Sequence, residues 1–191
     1  MKKTILSFAV FAITIISATN TFAQKFPRLD VSPMDAASYP SDWRNSDKLV
    51  KVIYSRPQLK GRELSSLAAV SDKGVWRTGA NEASEITFFK DVLFGGKKVK
   101  AGTYTLFTIP SEKEWTFILS AVRNVWGHYT YDKKDDVLRV SGKVSEAEKP
   151  IESFSIVFNE NKDDLVTMYL GWGNTVVSVP LQEVDLEAQG K

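Results

Sequence analysis

Between Glu85 and Ser120 the chain reads EITFFKDVLFGGKKVKAGTYTLFTIPSEKEWTFILS, runs of β-branched and aromatic residues cut by the tight-turn pieces Lys90-Asp91, Gly95-Gly96, Ala101-Gly102 and Ser111 to Glu114. Runs this short with turn chemistry between them predict adjacent antiparallel strands. Within TYTLFTIP, Tyr104 and Leu106 share one face and Phe107 and Ile109 the other, so this strand is expected to be central and buried on both sides. Further strands are expected in KLVKVIYSRP, where Val50, Val52 and Tyr54 alternate and Pro57 ends the run, and in DVLRVSGKV, ESFSIVFNE, DDLVTMYLGW and NTVVSVPL. The single helical pattern is in GRELSSLAAV, with Leu64, Leu67 and Ala68 on one face.

Eight to ten strands and one short helix predict an all-β protein, an antiparallel β-sandwich or jelly-roll-like single domain, with a closed β-barrel as the alternative. Residues 48–183 are expected to form that domain. Residues 24–47, with three prolines and no hydrophobic period, are expected to be an irregular arm, and residues 184–191 a polar tail.

The N-terminus has the pattern of a secretory leader: Lys2 and Lys3, an apolar run from Ile5 to Ile16, then SATNTFAQ with Thr21 and Ala23 at the positions of a cleavage site. The run falls short of the roughly 20 residues needed to cross a bilayer. A mature protein beginning at Gln24 is therefore expected in the periplasm or outside the cell, without stable membrane insertion. Losing residues 1–23 removes two lysines and no acid, which leaves 23 basic against 23 acidic residues. A neutral mature chain gives no basis for nucleic-acid binding. The absence of cysteine excludes disulfides, thiol catalysis and thiolate metal sites, and one histidine, His128, cannot build a multi-histidine centre, so neither metal nor cofactor is expected.

Polar chemistry concentrates in VWRTGANEASEITF, Val75 to Phe88. Thr78-Gly79 reads as a turn whose glycine supplies a positive φ, and it places Arg77, Asn81 and Glu82 beside the strand that starts near Ile86. Arg77 offers a planar fork for a carboxylate, phosphate or sugar hydroxyl, with Asn81 and Glu82 as further contacts. The structural alternative pairs Arg77 with Glu82 or Glu85 as a strut inside the fold. Trp76, Trp126 and Tyr129 add ring faces suited to sugar stacking. Glu82 and His128 are the candidates for acid-base chemistry, with Glu85, Asp132, Asp135 and Asp136 available as second carboxylates for glycoside hydrolysis. Tyr54, Arg56, Lys60 and Arg62 in YSRPQLKGRE form a second polar group without phosphate-loop spacing.

The strings RPQLKGR, WRTGANEASEI and AGTYTLFTIP, with WGHYTYDKKDDVLRV and LGWGNTVVSVP, resemble the exported bacterial family called domain of unknown function 2911, over about residues 32 to 181. The resemblance implies export and carries no activity with it. Three functions fit the residues. The first is a non-catalytic ligand-binding or accessory domain of the envelope, taking a glycan, cell-wall fragment or other small molecule through Trp76, Arg77, Asn81, Glu82, Trp126 and Tyr129. The others are a hydrolase or lyase of an envelope polysaccharide, and a structural or assembly factor.

Overall fold

The structure, a computed structural model, describes residues 24–64, 74–161 and 165–184. The expected leader, most of the expected helix (its residues 65–70) and all of the tail except Val184 lie outside the described residues. Nine strands make one antiparallel sheet: β1 (Met34–Tyr39), β2 (Val50–Ser55), β3 (Ser84–Phe88), β4 (Val92–Phe94), β5 (Lys97–Val99), β6 (Gly102–Ile109), β7 (Glu114–Ser120), β8 (Asp136–Glu160) and β9 (Val166–Glu183). Their order is β1-β2-β3-β6-β7-β8-β9-β4-β5, and the sheet does not close into a barrel. The all-β antiparallel class stands and the barrel alternative does not. Among the described residues the only helical element is the 3-10 turn Lys133–Asp135.

Three expectations are corrected. The arm is not irregular throughout, because Met34–Tyr39 pairs with β2 from Met34 opposite Ser55 to Tyr39 opposite Val50. Backbone pairing there needs no strong side-chain period, so the sequence hides it. The four C-terminal strands fuse into two, β8 and β9, because their shared ladder bends at register shifts between Glu146 and Ser155 instead of breaking. Opposite the bend, Gly173 has φ +58, a conformation that resists a side chain. Finally, β4 is not the neighbour of β3. The β4–β5 hairpin turns on Gly95 (φ +57) and Gly96 (φ +77) and joins the far edge, where Phe94 lies opposite Leu181 of β9.

That placement coils the sheet around one core, in the manner of a sandwich. Phe94 meets Phe88 of β3 at 5.7 Å and Phe117 of β7 at 6.0 Å, although β3 and β4 are far apart in strand order. Fully burying side chains of this size stabilises by about 1.5–3 kcal/mol each. Val50, Val52 and Tyr54 face this core from β2, in the expected alternation. A second cluster, with Val75, Ala83, Phe107, Ile118, Val125 and Tyr131, lies on the other face of β6 and β7. The double burial expected for β6 is therefore present: Leu106 enters the main core and Phe107 the second cluster. The second cluster also fixes the site, because it holds the segments before β3 and before β8 against the sheet.

The unclosed sheet is sealed at one seam by backbone and side-chain hydrogen bonds. Beyond β2, Phe154 N–H donates to Pro57 O (2.9 Å) and Leu59 N–H to Glu152 O (3.0 Å). Arg56 spans the seam, donating to Phe154 O at 3.1 Å, Ser155 Oγ at 2.7 Å and Asp35 Oδ2 at 3.0 Å. Ile156 N–H donates to the Tyr54 hydroxyl at 3.0 Å.

Candidate functional site

Trp76 extends the sheet just before β3 begins. Its N–H donates to Thr108 O at 2.7 Å and its carbonyl accepts from Thr108 N at 2.9 Å. The half-buried indole stacks on Trp172 of β9, with centroids 5.6 Å apart and planes 22° apart, and meets Phe154 edge-on at 5.0 Å. Such pairs are worth about 0.5–1.5 kcal/mol beyond area burial, so the Trp76–Trp172 wall is rigid. Its Nε1 donates to Gly79 O at 3.1 Å, closing the turn that follows.

The turn differs from its sequence reading. Gly79 does not carry the positive φ; Thr78 (φ +56) and Asn81 (φ +59) do. Gly79 is needed for proximity instead, since a Cβ there would stand 3.0 Å from Ser55 O and 3.1 Å from Ser84 Oγ. A buried, β-branched residue in the left-handed region costs on the order of 1–3 kcal/mol and persists only when its surroundings fix it. Here Ser84 Oγ donates to Thr78 O at 2.6 Å, and the hydroxyls of Thr78 and Thr108 lie 3.1 Å apart.

This strained turn leaves Arg77 off the ladder, on the wall of a concavity of about 320 Å³. Arg62, Asn81, His128, Trp76 and Trp172 line it with Arg77, and none of the described residues lining it is acidic. The Arg77 side chain makes no hydrogen bond or ion pair with any described residue, and its Nε is buried. The strut alternative is thereby corrected: Glu85 Oε1 accepts from Asn124 N–H at 3.0 Å, and exposed Glu82 lines a separate depression of about 60 Å³ with Glu85 and Asn124. Arg62 is oriented by its own carbonyl contacts, to Leu59 O at 2.9 Å and Gln58 O at 2.7 Å. Asn81 ties the arm to the turn by donating to Asp30 Oδ1 at 3.1 Å. Asp30 also accepts from Ser32 N–H, and these two bonds, the Ser32 bond first, hold its carboxyl below 3.8.

His128 reaches the concavity from the opposite loop, where Gly127 N–H donates to Asn81 O at 3.2 Å. Gly127 has φ +70 and a Cβ there would stand 2.6 Å from the Tyr129 ring, so this loop demands glycine. Trp126 and Tyr129 are 63% and 71% exposed and stay outside the concavity, with the Tyr129 ring 5.0 Å from that of His128. The structure thus brings together Trp76, Arg77, Asn81 and His128, and separates from them Glu82, Trp126 and Tyr129. The other candidate carboxylates are used elsewhere. Asp132 caps the 3-10 turn by accepting from Lys134 N–H, and Asp136 accepts from the Tyr131 hydroxyl and from Arg139 Nε. No group of three or more metal-ligating side chains occurs among the described residues.

One wall residue escapes motif reading, and another is singled out with neighbours the fold takes elsewhere. Trp172 sits in an ordinary strand pattern, and only the repeat of Trp126-Gly127 at Trp172-Gly173 draws the eye to it. Arg62 stands in the polar group of YSRPQLKGRE, which the fold disperses: Tyr54 and Arg56 close the seam while Arg62 faces the concavity.

A family model described as "Protein of unknown function (DUF2911)" matches residues 32–181. Neither a curated protein nor a solved structure matches the chain. The match covers most of the sequence, and the chain belongs to that family.

Proposed function

We propose that this member of a family of unknown function is a non-catalytic binding domain of the cell envelope, taking a glycan or cell-wall fragment into the concavity between Arg77 and the Trp76–Trp172 wall. The observation that carries the reading is Arg77, a buried guanidinium nitrogen without a hydrogen-bond partner among the described residues, beside a strained turn. A buried polar group is ordinarily satisfied, and one that is not calls for a ligand, an ion or a water. The volume of about 320 Å³ lies at the low end of the roughly 300–1,000 Å³ typical of small-ligand pockets. Stacked indoles beside donors are a composition that fits the apolar face and hydroxyl edge of a sugar ring. The leader-like N-terminus supports an envelope location. The hydrolase reading required Glu82 to work beside Arg77, and the two line different depressions, so no observation favours it.

The test is intrinsic fluorescence titration of the mature protein with a panel of glycans and muropeptides, since two of the five tryptophans line the concavity. At least one panel member is expected to shift the emission. Arg77→Ala is expected to weaken that response at least about tenfold without lowering the melting temperature, because the side chain makes no hydrogen bond or ion pair with a described residue and its removal relieves an unsatisfied buried donor. Silence across the whole panel would overturn the reading.

A further inference from the structure

From the charge and shape of the concavity we infer that its ligand is anionic, a saccharide bearing a carboxylate or phosphate whose oxyanion is held by Arg77 with Arg62 beside it. This rests on the binding reading above and narrows it. Two guanidinium groups line a space of about 320 Å³ in which no described lining residue is acidic. Other arginines here show what this fold does with a cation it uses internally. Arg56 is engaged by Asp35, Phe154 O and Ser155, and Arg139 by Asp136 and Tyr131. Arg77 has no such partner among the described residues, and Glu82 and Glu85, near in sequence, line another depression.

A guanidinium half removed from water and left without a counter-charge among the described residues is destabilising, and an oxyanion in the concavity it lines supplies that charge. Its planar fork matches a carboxylate or phosphate in two parallel bonds, which a lone sugar hydroxyl cannot accept. Arg62 is suited to the second contact because Nε and Nη2 are fixed on Leu59 O and Gln58 O. Anchored in this way, the guanidinium loses less freedom on binding than a loose surface arginine. Trp76, Trp172 and Pro57 supply the apolar wall against which the remainder of the saccharide rests.

Isothermal titration calorimetry of the mature protein tests this with matched probes: N-acetylmuramic acid against N-acetylglucosamine, glucuronic acid against glucose, and glucose 6-phosphate. The expected result is that one or more acidic probes bind at least about tenfold tighter than the neutral partner. Their affinity should fall as salt rises from about 0.05 to about 0.5 M, as screening of a partly exposed charge pair requires. Arg77→Met should erase the preference, Arg62→Met should reduce it, and Arg77→Lys should keep the charge but restore only part of the affinity. A carboxylate source and a phosphate source are separated by whether glucuronic acid or glucose 6-phosphate binds tighter. Equal binding of neutral and acidic probes, or wild-type preference in Arg77→Met, overturns the inference but leaves the binding reading standing. Failure of every probe, together with a silent glycan panel, removes both.

Discussion

Replacing Tyr54 by phenylalanine deletes one oxygen from the seam that holds the open sheet together. The ring, 4% exposed and edge-on to Phe154 at 5.6 Å, keeps its packing, so the substitution isolates the hydroxyl. That hydroxyl accepts from Ile156 N–H at 3.0 Å and lies 3.5 Å from Ile156 O. An N–H has a single hydrogen, so without the hydroxyl Ile156 keeps a buried donor unsatisfied, at about 1–3 kcal/mol. For a domain of this size each kcal/mol moves the melting temperature by roughly 2–4 °C, and urea unfolding at pH 7 should show a lower midpoint with unchanged slope. A second signature lies in alkali. Burial, outweighing the Ile156 N–H bond that favours the phenolate, raises Tyr54 above its ordinary 10.0. A raised value means that the stabilisation is complete below the unfolded value near 10 and is lost as pH rises through the folded one. The stability gap between wild type and Tyr54→Phe should therefore be widest below about pH 10 and shrink above it. A gap under about 0.3 kcal/mol at pH 7 would refute the assignment of the seam to this hydroxyl.

Gly142→Ala should destabilise by about 1–3 kcal/mol in the same urea assay, since its Cβ would stand 2.3 Å from Phe117 Cε2 in a closely packed core. Adding Phe117→Leu should recover part of that loss if the clash is its cause. Asp91 is held below 3.8 by the Lys100 ammonium first and the Ala101 N–H second. A lowered value gives stabilisation that is present above the unfolded value and disappears as pH falls through the folded one. Melting temperatures scanned from pH 6 down to about pH 2 should accordingly fall less steeply in Asp91→Asn than in wild type.

Fold class was legible because burial imposes period-two patterning. Val50, Val52 and Tyr54 on β2, and the two-faced β6, could be located from alternation alone. Strand order was not legible, since β4 and β5 read locally like any hairpin and only the pairing of Phe94 with Leu181 of β9 reveals that they join the far edge. At the site, composition identified the loop around Arg77 but not its neighbours. Whether Arg77 met Glu82 or a cavity depended on where Thr78 and Asn81 turned the chain, and two positive φ values at non-glycine residues leave no mark in a sequence. Trp172 and Arg62 come from distant segments, and what joins them to Arg77 is the coil of the sheet.

Three arginines separate folding from function here more sharply than any motif does. Arg56 and Arg139 are saturated, the first bridging a seam and the second fixing Tyr131 and Asp136 before and within β8. Arg56 looks functional in the sequence, and both are accounted for by the fold. Arg77 breaks the pattern in the costly direction: a cation unpaired among the described residues, next to a buried threonine with φ +56. Each feature costs on the order of 1–3 kcal/mol and neither strengthens the core. A fold needing only a strut could place an arginine opposite Glu85 without either cost. That the unsatisfied donor lies on the wall of a concavity, one residue from the strained threonine, is what the proposed ligand would account for. It also implies that the wild-type protein gains more thermal stability from that ligand than the Arg77→Ala variant does.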